Sequence, residues 1–292
     1  MVKNTHDATR AAPRLAVYLN LGTLADLPSW SGGPRGDERA VLEAVKAAGF
    51  EGVQGGPAHV ARALGLGYAG SGRVNEPADA DTVAKQNKDA GALCATLHVG
   101  WGLEDDAAVD RLVGAVLEAS AKHDLPMYIE THRATITQDI WRTVELCKRF
   151  AGVRFNGDFS HWYTGLEMVY GGMELKLAAM APVFERVRFL HGRIGNPGCM
   201  QVAVARRPDG TWPSYVQHFE AMWTAAMRGF LAEAGPGDVL IFAPELLQPS
   251  IFYARTFEGR EECDRWQQAL LYAELARACF GQAQRQGGAA TA

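Results

Sequence analysis

The sequence lacks the cysteine pattern of a disulfide-stapled domain or of a zinc-thiolate site. It has 292 residues and five cysteines, an odd number, and no two of these cysteines are spaced as CxxC. Disulfide frameworks use paired cysteines, and structural zinc sites use closely spaced cysteine pairs. We therefore expect reduced thiols that are mostly buried.

Long apolar runs and an excess of basic residues are also missing. A transmembrane helix needs about 20 consecutive apolar residues, and the polar start MVKNTHDATRAAPR lacks the apolar core of a signal peptide. Lys and Arg number 29 against 33 Asp and Glu, a formal net charge of −4, whereas nucleic-acid-binding domains carry a basic face. We therefore expect a cytoplasmic protein that binds neither membranes nor nucleic acids.

No GxxxxGK[ST] phosphate loop is present, and the single GxGxxG match, GLGYAG at Gly65–Gly70, is weak. A dinucleotide-binding sheet places this motif between an early strand and its helix. Here the motif follows a helical pattern instead. We interpret it as a helix stop followed by a turn, and a doubly wound open sheet is kept only as the alternative architecture.

What the sequence does contain is an alternation of short apolar runs with longer helical patterns. Hydrophobic residues make up 48% of the chain, ample for a large core. Strands that alternate with helices predict a parallel sheet, and eight such units in about 250 residues are typical of a (β/α)8 TIM barrel. We predict one barrel over residues 14–285, with flexible tails at 1–13 and 286–292. The strand candidates are Arg14–Leu21, Phe50–Gln54, Gly67–Gly70, Ala92–Val99, Met127–Glu130, Val153–Gly157, Arg188–His191 and Val239–Phe242.

Helical periodicity and stop signals delimit the segments between these strands. Gly49 and Gly91 follow two of the helices as stop signals. The predicted helices are Asp37–Gly49, Ala58–Leu66, Asp79–Ala90, Asp105–His123, Thr137–Phe150, Met173–Arg186, Ser214–Ala234 and Glu258–Gln284.

At four strand ends the apolar run stops at a carboxylate or an imidazole: Glu130, Asp158, His191 and Glu245. The C-terminal strand ends of a barrel meet at one mouth, where the chemistry of this architecture is located. Three ionised carboxylates there repel one another unless a cation lies between them. Carboxylates with one nitrogen suit Mn²⁺, with Mg²⁺, Co²⁺, Zn²⁺ and Fe²⁺ as alternatives. We predict one divalent ion at this set; a salt bridge or a helix cap is the alternative for any single acid.

Further polar and aromatic residues near these ends are candidates for binding a substrate. His98 ends the fourth strand, His161 lies three residues after Asp158, and Arg193 lies two residues after His191. Trp162 belongs to a group of aromatics that suit the face of a sugar or, equally, packing at the barrel lip. Each of the other three has a structural alternative. His98 could be a core histidine, His161 a loop histidine, and Arg193 a partner in a salt bridge.

With Glu130, Asp158-x-x-His161, His191 and Glu245 at successive strand ends, the chain resembles the xylose isomerase-like TIM-barrel superfamily over about residues 14–280. This superfamily includes sugar isomerases, ketose epimerases, inosose dehydratases and endonuclease IV-type enzymes. The resemblance implies that the Glu-Asp-His-Glu set holds one divalent metal. It also implies that Glu130 and Glu245 are the catalytic acid and base, and that His161 and Arg193 contact the substrate.

We therefore expect a metal-dependent isomerase or epimerase that acts on a sugar or keto-sugar through proton abstraction next to a polarised carbonyl. A lyase or dehydratase of a keto-sugar, a keto-inositol or an oxidised glycoside is the alternative. The spacing of His191 and Arg193 is tighter than that of the ketose epimerases in the superfamily that the chain resembles, which argues against a ketohexose substrate.

Two further alternatives are an endonuclease IV-type phosphodiesterase and a non-catalytic binding barrel. The nuclease is disfavoured because Gly195–Pro213 has no histidine and Asp209 is followed by glycine and threonine, not by x-His. Barrels of this kind often form homo-oligomers, which we expect only by analogy.

Overall fold

Buried apolar runs form the strands of this protein. In the computed structural model, which describes residues 2–289, the fifth and seventh barrel strands are buried along their whole length, as parallel strands covered on both faces must be. Within that range, eight parallel strands each pair with the next, and the eighth pairs with the first. The predicted (β/α)8 barrel is therefore confirmed. Its strands are Arg14–Asn20, Gly52–Gln54, Gly67–Val74, Cys94–Val99, Met127–Glu130, Phe155–Gly157, Val187–Gly192 and Asp238–Pro244.

Helices surround the barrel, and several begin at a side-chain cap. Asp37, Asp105 and Asp139 each accept a hydrogen bond from the backbone N–H three residues later, which satisfies an otherwise unpaired donor. The helices are Glu38–Ala47, Ala58–Ala63, Pro77–Asp89, Asp106–Lys122, Ile140–Arg149, Ser160–Gly165, Met173–Ala179, Ala181–Phe184, Ser214–Glu233 and Arg265–Ala289, with short 3-10 turns at Leu21–Leu24 and Pro249–Ile251.

The core has two parts. A small cluster, which includes Tyr18, Tyr128, Phe189 and Ile241, comes from alternate strand positions and fills the barrel interior. A larger cluster lies between the strands and the surrounding helices. None of the helices among residues 2–289 is long and apolar enough to cross a membrane.

The N-terminal segment is bound to the barrel, in contrast to the flexible tail that the sequence predicted for residues 1–13. Thr5–His6 pairs antiparallel with the start of the eighth strand. The Thr5 hydroxyl lies 2.9 Å from the Tyr128 hydroxyl, and Asn4 Oδ1 accepts from Arg188 Nε at 2.7 Å. These partners lie at the N-terminal ends of strands, so the segment closes the end of the barrel opposite the predicted mouth. Its contacts are mostly polar, which explains why hydropathy did not reveal them.

The last helix begins later than predicted. A hairpin formed by Thr256–Phe257 and Arg260–Glu261 precedes it, and its turn residues Glu258 and Gly259 both have positive φ, as a two-residue hairpin loop of type I′ requires. The predicted helix start at Glu258 is therefore wrong. The helix continues through Ala289, within the tail predicted over 286–292, and residues 290–292 lie outside the described range.

We predict that deletion of residues 2–9 lowers the free energy of unfolding by about 2–4 kcal/mol. Val2 is buried, and burial of a valine contributes about 1.5 kcal/mol or more, with about 1 kcal/mol for each hydrogen bond lost. Urea denaturation followed by far-UV circular dichroism measures the change. The exposed Arg10, replaced by alanine, is the matched control. A truncated protein as stable as the full chain would show that the segment contributes nothing.

Candidate metal centre

The four residues predicted as metal ligands converge at the C-terminal end of the barrel. Glu130 ends the fifth strand, Asp158 follows the sixth, His191 lies near the end of the seventh, and Glu245 follows the eighth. One potential ligand atom from each lies within 4.8 Å of the others. Parallel pairing of these strands brings their C-terminal ends to one edge, so residues far apart in sequence meet in space.

The donor atoms of this set fit a hard divalent cation. Nδ1 of His191 lies 3.3 Å from Glu130 Oε2 and 3.5 Å from Glu245 Oε2. Asp158 Oδ1 accepts from the backbone N–H of Ser160, whereas Asp158 Oδ2 is buried without a hydrogen-bond partner in the described part of the chain. The Arg193 guanidinium lies 3.3 Å from this oxygen, but a buried carboxylate oxygen without a hydrogen bond can still accept a further cation. Three carboxylates and one imidazole are suitable ligands for such an ion.

Electrostatic coupling shifts the pKa values of three of these groups. Burial raises the pKa of Asp158 to about 6 against the opposing charge of Arg193, and the charge of Glu245 adds to the rise. Burial alone would lower the pKa of His191, but the charges of Glu245 and Glu130 outweigh it and raise that pKa to about 9. Burial would raise the pKa of Glu130, but His191 nevertheless holds it well below its usual value.

The buried Arg193 forms the salt bridge that the sequence offered as an alternative to substrate binding. Its Nη2 lies 3.3 Å from Asp158 Oδ2 and also bonds Glu245 Oε2. Its Nε donates to the Glu245 carbonyl at 3.1 Å, and Tyr253 covers the guanidinium at 4.5 Å from the ring centroid. Arg193 therefore neutralises two of the predicted ligands, and its contact with a substrate stays a prediction.

Three imidazoles line one side of Glu130. His98 Nε2 lies 3.2 Å from Glu130 Oε1, and its side chain is 39% exposed. Buried His161 has its Nε2 3.7 Å from Asp158 Oδ2 and 3.9 Å from Glu130 Oε1. His132 lies between them, with ring centroids 4.5 Å from His98 and 3.8 Å from His161. His98 and His161 thus border the predicted site, and their contact with a substrate stays a prediction.

The group His98, Glu130 and His132 also has the spacing of a metal site. However, His132 Nδ1 accepts from the Ala134 backbone N–H at 3.1 Å, so the remaining hydrogen of the neutral ring is on Nε2. Burial lowers the pKa of His132 to about 3, which keeps the ring neutral. Metal ligation through Nε2 would require the opposite tautomer, so we assign no second ion to this group.

Trp162 is not at the site, and the prediction that it contacts a substrate is contradicted by its position. The indole is fully buried in the large core cluster, beside Phe159, and its Nε1 donates to the Thr137 carbonyl at 2.8 Å. Neighbouring residues on a helix point about 100° apart. The helix Ser160–Gly165 can therefore direct His161 into the site and Trp162 into the core.

Sequence reasoning missed three amide side chains that hold the charged groups. Asn20 donates to Glu245 Oε1 at 2.9 Å, and Asn156 donates to Glu130 Oε2 at 3.1 Å. Gln54 Oε1 lies 2.8 Å from His191 Nε2. All three lie at or near the C-terminal ends of predicted strands. A search for any polar residue at a strand end, charged or neutral, would have found them.

Known structures agree with this architecture. No protein-family model and no curated protein matches the sequence. Among solved structures, the chain is similar to a sugar phosphate isomerase/epimerase from Parabacteroides distasonis, at 12% identity and TM-score 0.53, over 88% of this chain and 97% of that one. It is also similar to a xylose isomerase-like TIM barrel protein from Mycobacterium smegmatis in complex with magnesium, at 12% identity and TM-score 0.51, over 94% and 98%. The chain shares the TIM-barrel fold of these proteins. Identities this low show the fold alone.

We predict that Arg193→Met destabilises the metal-free protein by about 3–5 kcal/mol, because it leaves the buried Asp158 and the partly buried Glu245 without their counter-charge. Added Mn²⁺ should restore more stability to this variant than to the wild type, since the ion faces less competing positive charge. Urea denaturation with EDTA and with Mn²⁺ measures both effects. Arg133→Met, which replaces an exposed arginine near the mouth, is the matched control. An equal loss of stability with and without Mn²⁺ would contradict this explanation.

We also predict that the affinity for Mn²⁺ rises with pH. Below the pKa of about 9 for His191, the ion must displace the imidazole proton, so affinity should increase about tenfold per pH unit at neutral pH. Below the pKa of about 6 for Asp158, a second proton must leave and the dependence should steepen. Isothermal titration calorimetry with Mn²⁺ in buffers between about pH 5.5 and 7.5 measures this slope. A flat profile would exclude ligation by His191.

Proposed function

We propose that this protein is a divalent-metal-dependent enzyme that moves a proton on a sugar or keto-sugar, as an isomerase or epimerase. The observation that carries the proposal is the position of two glutamates around one small space. Glu130 and Glu245 approach His191 Nδ1 from different strands, at 3.3 and 3.5 Å. Two carboxylates that border the same space can act on a substrate as base and acid.

A divalent ion held by Glu130, Asp158, His191 and Glu245 would supply Lewis acidity toward a carbonyl oxygen of the substrate. The chain's own residues would do the proton transfer. In the metal-free protein, His191 and His98 hold the pKa of Glu130 low against the effect of burial, so this carboxylate is ionised, as a proton acceptor must be. Asn156 holds Glu130 Oε2, so Oε1 is the oxygen on the side of His98 and His161.

The fate of the proton distinguishes the two reactions. If Glu245 delivers a proton taken up from solvent to the opposite face of the same carbon, and Glu130 releases its own proton to solvent, the product is an epimer. If a proton is delivered to the neighbouring carbon while the hydroxyl proton moves to the former carbonyl oxygen, the product is an isomer. Asn20 holds Glu245 Oε1, which fixes that carboxylate relative to Glu130. We propose Mn²⁺ as the ion and a small carbohydrate as the substrate; a cytoplasmic location, homo-oligomers and the lack of nucleic-acid or membrane partners stay predictions.

A lyase or dehydratase is the second candidate, and His98 favours it. Burial would lower the pKa of His98, but the nearby Glu130 raises it, so the imidazole is biased toward its protonated form. Its side chain is partly exposed beside Glu130. A protonated imidazole in that position could donate to a leaving group after Glu130 has taken a proton, which would eliminate a β-substituent.

We predict that the Mn²⁺-loaded wild type incorporates deuterium from D₂O into at least one compound of a panel of sugars and keto-sugars. Glu130→Gln should lose this exchange by about 10²-fold or more, because the amide cannot accept the proton. NMR and mass spectrometry measure the incorporation and distinguish an isomer or epimer from an elimination product.

Two variants serve as controls for that experiment. The exposed Glu118→Gln should exchange as the wild type does. Asp158→Ala, which removes a ligand but neither glutamate, should lose both the ion, measured by elemental analysis, and the exchange. A wild type that binds no divalent ion, or full exchange by Glu130→Gln, would overturn the proposal.

A further inference from the structure

One buried amide beside the metal centre has no role in the proton transfer proposed above. Gln54 ends the second barrel strand and is almost fully buried. Its Oε1 lies 2.8 Å from His191 Nε2, and its Nε2 donates to the Thr96 hydroxyl at 2.8 Å. Its contact with His191 holds one nitrogen of a predicted metal ligand.

The orientation of this amide follows from a backbone group. The N–H of Gly22 can only donate, and it lies 2.8 Å from Asn20 Oδ1, so this atom of Asn20 is the oxygen. The Asn20 nitrogen then faces Gln54 at 3.0 Å and Glu245 Oε1 at 2.9 Å. Because an amide nitrogen only donates, the atom of Gln54 that it meets must be Oε1.

The same logic extends to His191. Gln54 Oε1 can only accept, so His191 Nε2 must carry a hydrogen. A ring bound to a metal carries hydrogen on one nitrogen only. The free lone pair of His191 is then on Nδ1, the nitrogen that faces Glu130 and Glu245.

Asn156 contacts the same ring and leaves that lone pair free. Asn156 Nδ2 donates to Glu130 Oε2 at 3.1 Å, which identifies that atom as the amide nitrogen. It lies 3.0 Å from His191 Nδ1 and 3.4 Å from Nε2. The similar distances to both ring nitrogens place this amide over the face of the ring, so the contact does not occupy the in-plane lone pair of Nδ1.

We propose that Gln54, oriented by Asn20 and Thr96, is a positioning residue that selects Nδ1 of His191 as the metal-ligating atom. This inference rests on the metal site of the proposed function and adds residues that hold one ligand in a single tautomer and ring orientation. The hydrogen-bond partners of a metal-binding histidine typically contribute 10–100-fold to metal affinity. The chain from Gly22 through Asn20 and Gln54 gives the source of that effect here.

The first test needs no variant. The wild type is labelled with ¹⁵N-histidine and loaded with Zn²⁺, a diamagnetic ion suitable for NMR. We expect the His191 signals to report hydrogen on Nε2 and ligation by Nδ1. Ligation by Nε2 would overturn the proposal.

The second test compares metal affinity, by isothermal titration calorimetry with Mn²⁺, in three variants. Gln54→Met, of similar size but without an acceptor, should weaken binding about 10–100-fold. Gln54→Glu restores an acceptor and should recover binding to within a few-fold of the wild type. Gln201→Met is the matched control, because it removes another buried glutamine amide, one that bonds Leu247 and not His191.

The outcomes separate this inference from the function it rests on. A wild type that binds no divalent ion would overturn the metal site and the inference together. Tight binding by the wild type and equally tight binding by Gln54→Met would overturn the inference alone. Weak binding by both Gln54→Met and Gln54→Glu would show that the side chain has a packing role, which also contradicts the proposal. Circular dichroism of each variant reports whether it is folded.

Discussion

Mutual repulsion of three carboxylates at one end of the barrel is the constraint on which the rest of the site depends. Glu130, Asp158 and Glu245 offer ligand atoms within 4.8 Å of one another. Two unit charges about 4 Å apart interact by about 4 kcal/mol at an effective dielectric constant of 20, which is a large fraction of the stability of a typical domain. The buried guanidinium of Arg193 and the imidazole of His191 offset this repulsion. The pKa of His191 reflects this effect, because Glu245 and Glu130 raise it although burial alone would lower it. Such an arrangement is characteristic of functional sites and exceptional in cores optimised for stability.

The barrel provides the rigidity that this arrangement needs. The three carboxylates come from different strands, His191 and Arg193 come from the end of the seventh strand, and parallel pairing holds these strands beside one another. The amides of Asn20, Gln54 and Asn156 then fix single oxygen or nitrogen atoms of their neighbours. The N-terminal segment seals the opposite end of the barrel, so polar side chains occupy both ends while the middle layer remains apolar. Stability and chemistry are therefore separated along the barrel axis.

Much of the fold could be predicted because strands covered on both faces must be apolar, whatever their neighbours are. The convergence of Glu130, Asp158, His191 and Glu245 was predictable for a related reason, since an ionisable group that ends an apolar run needs an explanation. A neutral amide such as Gln54 can end an apolar strand without placing a charge there. Its role therefore becomes apparent only from its contacts in the folded structure. Trp162 was misassigned because a rotation of about 100° per residue separates it from His161, and a linear sequence does not show which face of a short helix turns inward.

The charge of the site bears on what it can recognise. The three carboxylates carry three negative charges, and a divalent ion together with Arg193 would carry three positive ones. His132 remains neutral because burial lowers its pKa to about 3, and the low pKa of buried His161 keeps it neutral as well. Glu130 biases His98 toward its protonated form, so the loaded site would lie between neutral and singly positive, and no strong charge on the substrate would be needed for binding. Recognition would depend on oxygen atoms that can reach the ion and accept or donate hydrogen bonds. Neutral polyhydroxylated compounds have that chemistry, which supports a sugar or keto-sugar over a strongly charged substrate.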